Sequence, residues 1–345
     1  MAEDNGRKPS MLDVAEKAGV SKSTVSCVLN GKPGVSEDTK AKVLMACKDM
    51  RYRINPNIQD FVRGNLSGLT RNIALVFVET EFADPAYARI IDGVAKGTEE
   101  NKYHMLFARL TGAEETVYDL PPILRDGRVD GVLISGDIVP RVFSLLEEIN
   151  MPSVVLGNYN ESVTRGHSCV GIDFRAAVKM AVESLAKAGK TRIAFFAETL
   201  NHYSDKLILE AYKEALADEN LPVNEDIIYI AQGSFSGAMG ILKPIFKQDK
   251  MSFDSILCLD YRVAIEISHL IVGQAWNADK PGIALATARH YSCNKLPVPA
   301  VYIDMILDEV AYTGVEELLA NLSQKKNNRT STKFLTPDVV SMLDV

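Results

Sequence analysis

The sequence contains no run of about 18 or more apolar residues, the length that would make a membrane-spanning helix, although 47% of its 345 residues are hydrophobic. No transmembrane helix is therefore expected. The first ten residues, "MAEDNGRKPS", also lack the apolar segment of a secretory signal peptide. These absences predict a protein that stays in the cytoplasm.

Cysteine is scarce and scattered. The chain has five cysteines, at positions 27, 47, 169, 258 and 293, with no CxxC pair and no histidine at the spacing of a metal ligand. We therefore expect free thiols, no metal site and no bound cofactor.

The common catalytic motifs are missing as well. The sequence has no GxSxG elbow, no phosphate-binding GxxxxGK[ST] loop, no HExxH and no GxGxxG after a strand. The segment "GHSC" at 166–169 brings His, Ser and Cys together, but adjacent residues rarely converge, and the sequence shows no carboxylate to orient them. The chain is predicted not to be an enzyme.

Charge is distributed unevenly along the chain. Residues 1–71 hold 12 Lys and Arg against 8 Asp and Glu, whereas the remainder holds 26 against 37, which gives the whole chain a net charge of −7. A basic segment attached to an acidic body is typical of a protein that meets phosphate through one part only.

Three short helices are predicted in this basic segment. Ser10 can cap a first helix whose apolar face comprises Leu12, Val14, Ala15 and Ala18 and which ends at Gly19. Ser21 can cap a second helix that runs to about Asn30. Only "GV" separates the two, so they must cross steeply, as in a helix-turn-helix. Ser36 can cap a third helix, whose core residues are predicted to be Val43, Leu44 and Cys47.

The second of these helices has a packing face and an exposed polar face. Val25, Val28 and Leu29 are predicted to point inward, and the opposite face carries Lys22, Ser23, Ser26, Cys27 and Asn30.

The segment "LDVAEKAGVSKSTVSCVLNGKPGVSEDTKAKVLMACKDMRY" resembles the DNA-binding headpiece of the lactose/galactose repressor family. The resemblance implies that the second helix enters the major groove, with Lys22 and Ser23 near base edges. It places Ser21, Thr24, Asn30, Ser36 and Thr39 towards phosphates. Further DNA contacts are expected from Ser26, Cys27, Tyr52 and Asn57.

Two features depart from the family pattern. Cys27 stands where the family usually has Arg, and a thiol cannot make the bidentate contact with guanine that Arg makes. The hinge segment contains "RINPN" in place of the shorter "YxPN", and the leucine that the family inserts into the minor groove is replaced by Arg63 or, with a one-residue slip, Val62; Phe61 is a third candidate. A flexible linker without a wedge is the alternative.

From residue 72 onward the pattern changes to apolar segments of strand length that alternate with helices. The segments include "NIALVFVE", "HMLFARL", "VDGVLIS", "MPSVVLG", "TRIAFFAE", "IIYIAQ", "DSILCLD" and "KPGIALA". Such alternation predicts parallel sheets, and roughly ten strands exceed one ordinary sheet of about six, which indicates two lobes. The chain is expected to cross between lobes near 158–160 and 289–291.

This body resembles the family's effector domain, which is similar to periplasmic sugar-binding proteins. Ligands of such folds bind between the lobes, at the carboxyl ends of strands. The candidate cleft residues are Asp84, Tyr87, His202, Lys206, Ser234, Phe235, Asp260 and Tyr261. Ile208 replaces an Arg that is common in the family, and Tyr261 replaces an Asp, so a hexose site built on those two groups is not expected.

The sequence therefore predicts an N-terminal all-α helix-turn-helix headpiece joined to a two-lobed α/β, periplasmic-binding-protein-like domain with parallel sheets. The expected boundaries are a headpiece at 1–54, a hinge helix and linker at 55–71, and an effector-binding and dimerisation domain at 72–345. Within the last, the first lobe is expected at 72–158 and 291–322 and the second at 159–290 and 323–345.

The expected function is sequence-specific DNA binding. A homodimer would act on a pseudo-palindromic operator as a transcriptional regulator, most simply a repressor, under the control of a small-molecule effector such as a sugar or related metabolite. The alternative is a cleft-binding protein whose headpiece has lost specific DNA recognition. An intact headpiece core, formed by Val14, Ala15, Val20, Val25, Leu29 and Val43, favours the regulator.

Overall fold

The computed structural model divides the chain into two compact units, one comprising Met1–Asn72 with Arg128–Asp130 and the other comprising Ile73–Gly127 with Gly131–Val345. The structure describes residues 10–29, 34–50, 69–79, 85–111, 120–164, 166–231, 233, 235–248, 251–273, 284–289, 296–323 and 330–343. No helix in these ranges is long and apolar enough to span a membrane.

Three helices of the first unit match the expected headpiece: α1 (Met11–Ala18), α2 (Lys22–Leu29) and α3 (Glu37–Asp49). Ser10 and Asp13 form a capping box at the start of α1, and Gly19 ends that helix in the left-handed conformation, with φ of 66°. Local sequence thus determines both ends of α1. The buried core consists of Val14, Ala15, Val25, Val28, Leu29, Val43, Ala46 and Cys47.

Two residues that were predicted to be buried in the headpiece are exposed. Leu44 is 41% exposed and Leu12 is 61% exposed. At 100° per residue, Leu44 points away from the stripe of α3 that buries Val43 and Cys47, and Leu12 lies on the far side of α1 from Val14. The predictions for Leu12 and Leu44 are therefore wrong.

The second unit contains two six-stranded sheets. The first has the order β11-β5-β4-β3-β1-β2 and the second β12-β10-β9-β8-β6-β7. The first sheet consists of β1 (Asn72–Val78), β2 (His104–Leu110), β3 (Gly131–Gly136), β4 (Ser153–Leu156), β5 (Ser168–Ile172) and β11 (Thr332–Leu335). The second consists of β6 (Ile193–Ala197), β7 (Ile228–Ile230), β8 (Ser255–Cys258), β9 (Ala284–Arg289), β10 (Ala300–Asp304) and β12 (Asp338–Met342).

The prediction of parallel sheets is confirmed for most pairs. β1, β3, β4, β5 and β11 form parallel neighbours in the first sheet. β7, β6, β8, β9 and β10 do so in the second. β12 is the exception, because it runs antiparallel to β10.

Helices lie between the strands, as the alternation predicted. They are α4 (Pro85–Glu100), α5 (Pro122–Arg125), α6 (Pro140–Glu148), α7 (Glu161–Thr164), α8 (Phe174–Lys187), α9 (Tyr203–Asp218), a 3₁₀ turn (Glu225–Ile227), α10 (Phe235–Phe246), α11 (Tyr261–Gly273) and α12 (Leu307–Ser323). α12 packs on α4 and on strands of the first sheet, whereas α8 packs on α9 and the second sheet.

The chain passes between the lobes at other places than the sequence suggested. β5 continues the first sheet beside β4, so the expected crossing at 158–160 is wrong, and the chain crosses after Ile172. β10 continues the second sheet beside β9, so the crossing at 289–291 is also wrong. β11 returns to the first sheet before β12 joins the second, so 323–345 belongs to both lobes. The sequence patterns above predicted no strand at "SCVGI" or "AVYID". Each expected crossing was therefore placed one strand too early.

The described cysteines Cys27, Cys47, Cys169 and Cys258 are free thiols, as expected, and the last three are buried. Cys293 lies outside the described residues.

Glycine permits the close packing of α4 on α12. A Cβ atom added at Gly93 would lie 2.1 Å from the carbonyl oxygen of Asp308, so a side chain cannot fit there without moving backbone. The backbones of the two helices are therefore in direct contact at this position.

We expect Gly93→Ala to lower the free energy of unfolding by about 1–3 kcal/mol, the usual cost of overpacking. Gly240→Ala in α10 is the matched control, because no atom lies within 4 Å of a Cβ placed there. The control should be stabilised by up to about 1 kcal/mol, since alanine favours a helix. Urea denaturation of both variants measures the difference; equal effects would contradict this account of the helix contact.

Candidate nucleic-acid interface and effector cleft

The second helix of the headpiece has one buried face and one accessible face. Val25, Val28 and Leu29 are buried in the headpiece core. Lys22 and Ser23 are exposed, and Thr24, Ser26 and Cys27 are half-buried. Ser21 caps the helix by accepting a hydrogen bond from the Thr24 N–H at 3.0 Å. A short polar surface therefore begins at the amino end of α2.

Hydroxyl groups cluster at the amino ends of both α2 and α3. Ser21 Oγ lies 2.7 Å from Ser23 Oγ and 2.8 Å from Thr24 Oγ1. Ser36 Oγ lies 2.9 Å from Thr39 Oγ1 and accepts from the Thr39 N–H at 3.3 Å. Free N–H groups and the helix dipole make such ends suitable for phosphate.

Lys22 differs from other lysines of this unit. Three lysines on α1 and α3 are paired with acids, as Lys17–Asp49, Lys40–Glu37 and Lys42–Asp38. Lys22 pairs with no acidic residue that the structure describes, and α2 has no acidic residue in its first turn. A cation at a helix amino end opposes the dipole. The position of Lys22 is therefore unfavourable for the stability of α2 but suitable for binding an external anion.

Several predicted site residues lie outside the described residues. They are Asn30, Tyr52, Asn57, Phe61, Val62 and Arg63 of the DNA-binding set and Asp84 and Ser234 of the cleft set.

A pair of polar side chains joins the two lobes at the carboxyl ends of their strands. Asp137 follows β3 in the first lobe, and His202 is the N-cap residue of α9 in the second. His202 Nδ1 lies 3.1 Å from Asp137 Oδ1, and both side chains are about half exposed. His202, a predicted cleft residue, therefore contacts the opposite lobe.

A second group of charges lies behind this contact, after β6 and β8. Arg262 Nη2 lies 3.1 Å from Glu198 Oε2 and 3.1 Å from Asp260 Oδ2. Burial tends to raise the pKa of Asp260, but hydrogen bonds from Arg262 and the Val263 N–H outweigh it and hold that pKa below its usual value. Burial and the neighbouring Asp260 carboxylate raise the pKa of Glu198.

Asp205 is the least compensated carboxylate of the group. Its Oδ2 is buried and has no hydrogen-bond partner. Burial raises the pKa of Asp205, and its charge interacts with His202, Asp260 and Asp137. Asp205 thus links the predicted residues His202 and Asp260 electrostatically.

The other predicted cleft residues are placed differently. Lys206 is exposed on α9, while Ile208, at the position of the family's Arg, is 8% exposed and packs in the core. Phe235 begins α10 and is 41% exposed. Tyr87 packs edge-on against Phe77, with ring centroids 5.0 Å apart. Tyr261 is half-buried at the start of α11.

Comparisons with known proteins extend these observations. A family model described as "Bacterial regulatory proteins, lacI family" matches residues 10–55. The HTH-type transcriptional regulator MalR of Streptococcus pneumoniae is 28% identical over 327 residues, which cover 93% of this chain and 94% of MalR. The HTH-type transcriptional regulator RegA of Clostridium acetobutylicum is 31% identical over 260 residues, which cover 74% of this chain and 75% of RegA. The chain belongs to the lacI family.

Solved structures agree with this lacI-family fold. The lac repressor dimer bound to operator and the anti-inducer ONPF has a TM-score of 0.76 at 17% identity, covering 98% of this chain and 99% of that one. The CelR–cellobiose complex has a TM-score of 0.64 at 20% identity, covering 97% and 99%. With the family established, this chain is a DNA-binding transcriptional regulator with an effector-binding domain. The relatives MalR and RegA are named as transcriptional regulators.

Sequence reasoning missed four residues of the cleft of this lacI-family protein: Asp137, Glu198, Asp205 and Arg262. Asp137 and Glu198 directly follow the apolar segments "GVLISG" and "IAFFA", which end as strands. Polar residues in that position mark the carboxyl edge of a parallel sheet, where ligands bind. That signal was present, whereas the pairing of Arg262 with Glu198 depends on the arrangement of two distant strands.

We expect Asp205→Asn to raise the free energy of unfolding at pH 7. Because the folded-state pKa of Asp205 is raised, the folded protein binds this proton more tightly than the unfolded chain does, and ionisation destabilises the fold as the pH rises above about 4. The gain of the variant should therefore disappear at pH values below about 4. Urea denaturation across this pH range measures it.

Asp260→Asn is the matched control with the opposite sign. The pKa of Asp260 is lowered in the folded state, so its charge stabilises the fold at neutral pH. That variant should be less stable than the wild type at pH 7, and the deficit should fade as the pH falls below about 4. Equal signs for the two variants would contradict the described charge arrangement.

Proposed function

We propose that the protein is a repressor that binds a pseudo-palindromic operator as a homodimer and is controlled by a small-molecule effector between its lobes. The observation that carries the DNA-binding part is the accessible face of α2, where Lys22 has no acidic partner among the described residues while the face behind it is fully packed.

The α2 surface fits the major groove by its size and chemistry. Lys22 and Ser23 are exposed at its front, and they are the residues proposed to reach base edges. The hydroxyl pairs of Ser21 with Thr24 and of Ser36 with Thr39 are proposed to bind phosphates on either side. Phosphate contacts position the helix, and base contacts specify the sequence.

The intact headpiece core argues against the alternative in which DNA recognition has been lost. Val14, Ala15, Val25, Leu29 and Val43 are each at most 5% exposed, and Val20 packs against them. A unit released from DNA binding would have no reason to retain an uncompensated lysine at the start of α2.

We propose dimerisation because the headpiece is small. A single module of this kind covers too little DNA for tight specific binding, and two modules on a two-fold axis double the contact. The similarity to a lac repressor dimer on its operator supports the same arrangement. We therefore propose that two α2 helices occupy successive major grooves.

The effector is proposed to bind where Asp137 and His202 face each other. This contact joins the lobes at the carboxyl ends of their strands, and a ligand inserted there would compete with it or bridge it. The Asp205 and Asp260 carboxylates can accept hydrogen bonds from the hydroxyl groups of a sugar or related metabolite. A change in the angle between lobes would then alter DNA affinity, as linkage requires.

The test is selection of bound sequences from a random duplex pool by the purified full-length protein, at a stated salt concentration. We expect enrichment of a pseudo-palindrome with two half-sites, because each protomer contributes one headpiece. Absence of enrichment over non-specific DNA would contradict the proposal.

The selected duplex then allows a sharper comparison in the same binding assay. Lys22→Ala should weaken binding by about 1–3 kcal/mol, the range for a base contact. Lys42→Ala removes a lysine that is paired with Asp38 on α3 and should change affinity much less. Both variants retain the headpiece core, so folding does not confound the result.

Cys27→Arg should restore a guanine preference at one position in each half-site. The Cys27 side chain is half-buried on the accessible face of α2, and arginine at this position can contact guanine through two hydrogen bonds, worth about 1–3 kcal/mol of discrimination. Repeating the selection with the variant measures the change. An unchanged site would show that position 27 does not face a base pair.

A further inference from the structure

A pocket lies at the edge of the first sheet opposite to the cleft, where β4 and β5 begin. Its volume is about 430 Å³, and the described residues that line it include Glu147, Asn150, Ser153, His167, Ser168 and Asn321. The proposed effector site uses the carboxyl ends of the strands, so this pocket is separate from it. His167 and Ser168 belong to the "GHSC" segment.

The pocket contains a serine, a histidine and a carboxylate in one hydrogen-bonded series. Ser153 Oγ lies 2.6 Å from His167 Nδ1. On the other side of the ring, His167 Nε2 lies 3.3 Å from Glu147 Oε1. No local pattern marks a carboxylate that orients "GHSC", because Glu147 is 20 residues from His167 along the chain and approaches it only through the fold.

This arrangement favours one tautomer of the imidazole. A carboxylate only accepts hydrogen bonds, so Nε2 carries the proton and donates it to Glu147. In the neutral form of the ring, Nδ1 is then left as an acceptor for the Ser153 hydroxyl. The Phe143 ring packs against the imidazole, with centroids 4.7 Å apart, and helps to hold its plane. A serine that donates to an oriented neutral imidazole has the geometry of an activated nucleophile.

The neighbouring Ser168 is bound differently. Its hydroxyl donates to Glu317 at 3.4 Å and accepts from the Ser331 N–H at 3.1 Å and from Asn321 Nδ2 at 3.4 Å. These contacts occupy its hydrogen-bonding capacity and tie β5 to α12 and β11. Of the two serines beside His167, only Ser153 is paired with the imidazole.

We propose that Ser153 is an activated serine that accepts an acyl group from a small ester bound in this pocket. Ser153 Oγ attacks the ester carbonyl carbon while its proton passes to His167 Nδ1, and Glu147 stabilises the imidazolium. The bond between the carbonyl carbon and the alkoxy oxygen then breaks, and His167 returns the proton to the departing alcohol. Asn150 and Asn321 line the same pocket and carry amide N–H groups of the type that stabilises an oxyanion.

The test uses the full-length protein and a biotinylated fluorophosphonate, which phosphonylates activated serines with loss of fluoride. We expect labelling at Ser153, identified by peptide mass spectrometry, and its loss in Ser153→Ala. His167→Gln should slow labelling about 100-fold or more, the usual contribution of a general base. Ser168→Ala, the matched control, should be labelled at Ser153 as the wild type is.

A second measurement begins with the wild-type protein alone, so its first result does not depend on how the variants fold. Wild-type protein mixed with p-nitrophenyl acetate should release about one equivalent of nitrophenolate per chain as Ser153 is acetylated. Glu147→Ala and Glu147→Gln should both slow this release, because neither keeps the carboxylate that stabilises the imidazolium. The proposal is overturned if the wild-type protein is not labelled at Ser153. It is also overturned if His167→Gln is labelled at Ser153 as fast as the wild type.

Discussion

Parallel strands deliver all their carboxyl ends to one edge of a sheet and all their amino ends to the other, and both candidate sites of the second unit depend on this constraint. Asp137, Glu198 and Asp260 follow strands, so they gather at the carboxyl edge, where the lobes face each other. Ser153 and Ser168 begin strands, so they gather at the opposite edge. Strand direction thus separates the acidic cleft between the lobes from the pocket at the amino ends of the first lobe's strands.

Charge compensation distinguishes residues that hold the fold from residues that are available to a ligand. Arg89, which is 4% exposed, pairs with Asp304 at 2.6 Å and with Asp308, and it ties the end of β10 to α4 and α12. Such a pair is costly to break, because the buried Arg89 guanidinium would be left without a counter-charge. Lys22 and Asp205 are the opposite case. Each has a charge for which the described structure provides little compensation, and each belongs to a site proposed above for an external partner.

Sequence patterns predicted much of the first unit because its structure is local. The Ser10 cap, the Gly19 stop and the buried stripe of α2 all depend on residues within one or two turns of each other. The errors at Leu12 and Leu44 arose where hydrophobicity was taken for burial. Three short helices have only a small shared interior, and the helical period, not the residue type, decides which apolar side chains enter it.

In the second unit the sequence by itself determined the alternation of strands and helices, and hence the parallel sheets, because long apolar strands must be covered by helices on both faces. Only the tertiary structure showed which strand belongs to which sheet. A five-residue strand such as β5 or β10 has the same local pattern in either lobe, and only its pairing with β4 or β9 decides where the chain crosses. The contacts of His202 with Asp137 and of His167 with Ser153 and Glu147 were likewise decided by the fold. Each joins residues that are distant in sequence, and no local pattern records which distant side chain completes a hydrogen bond.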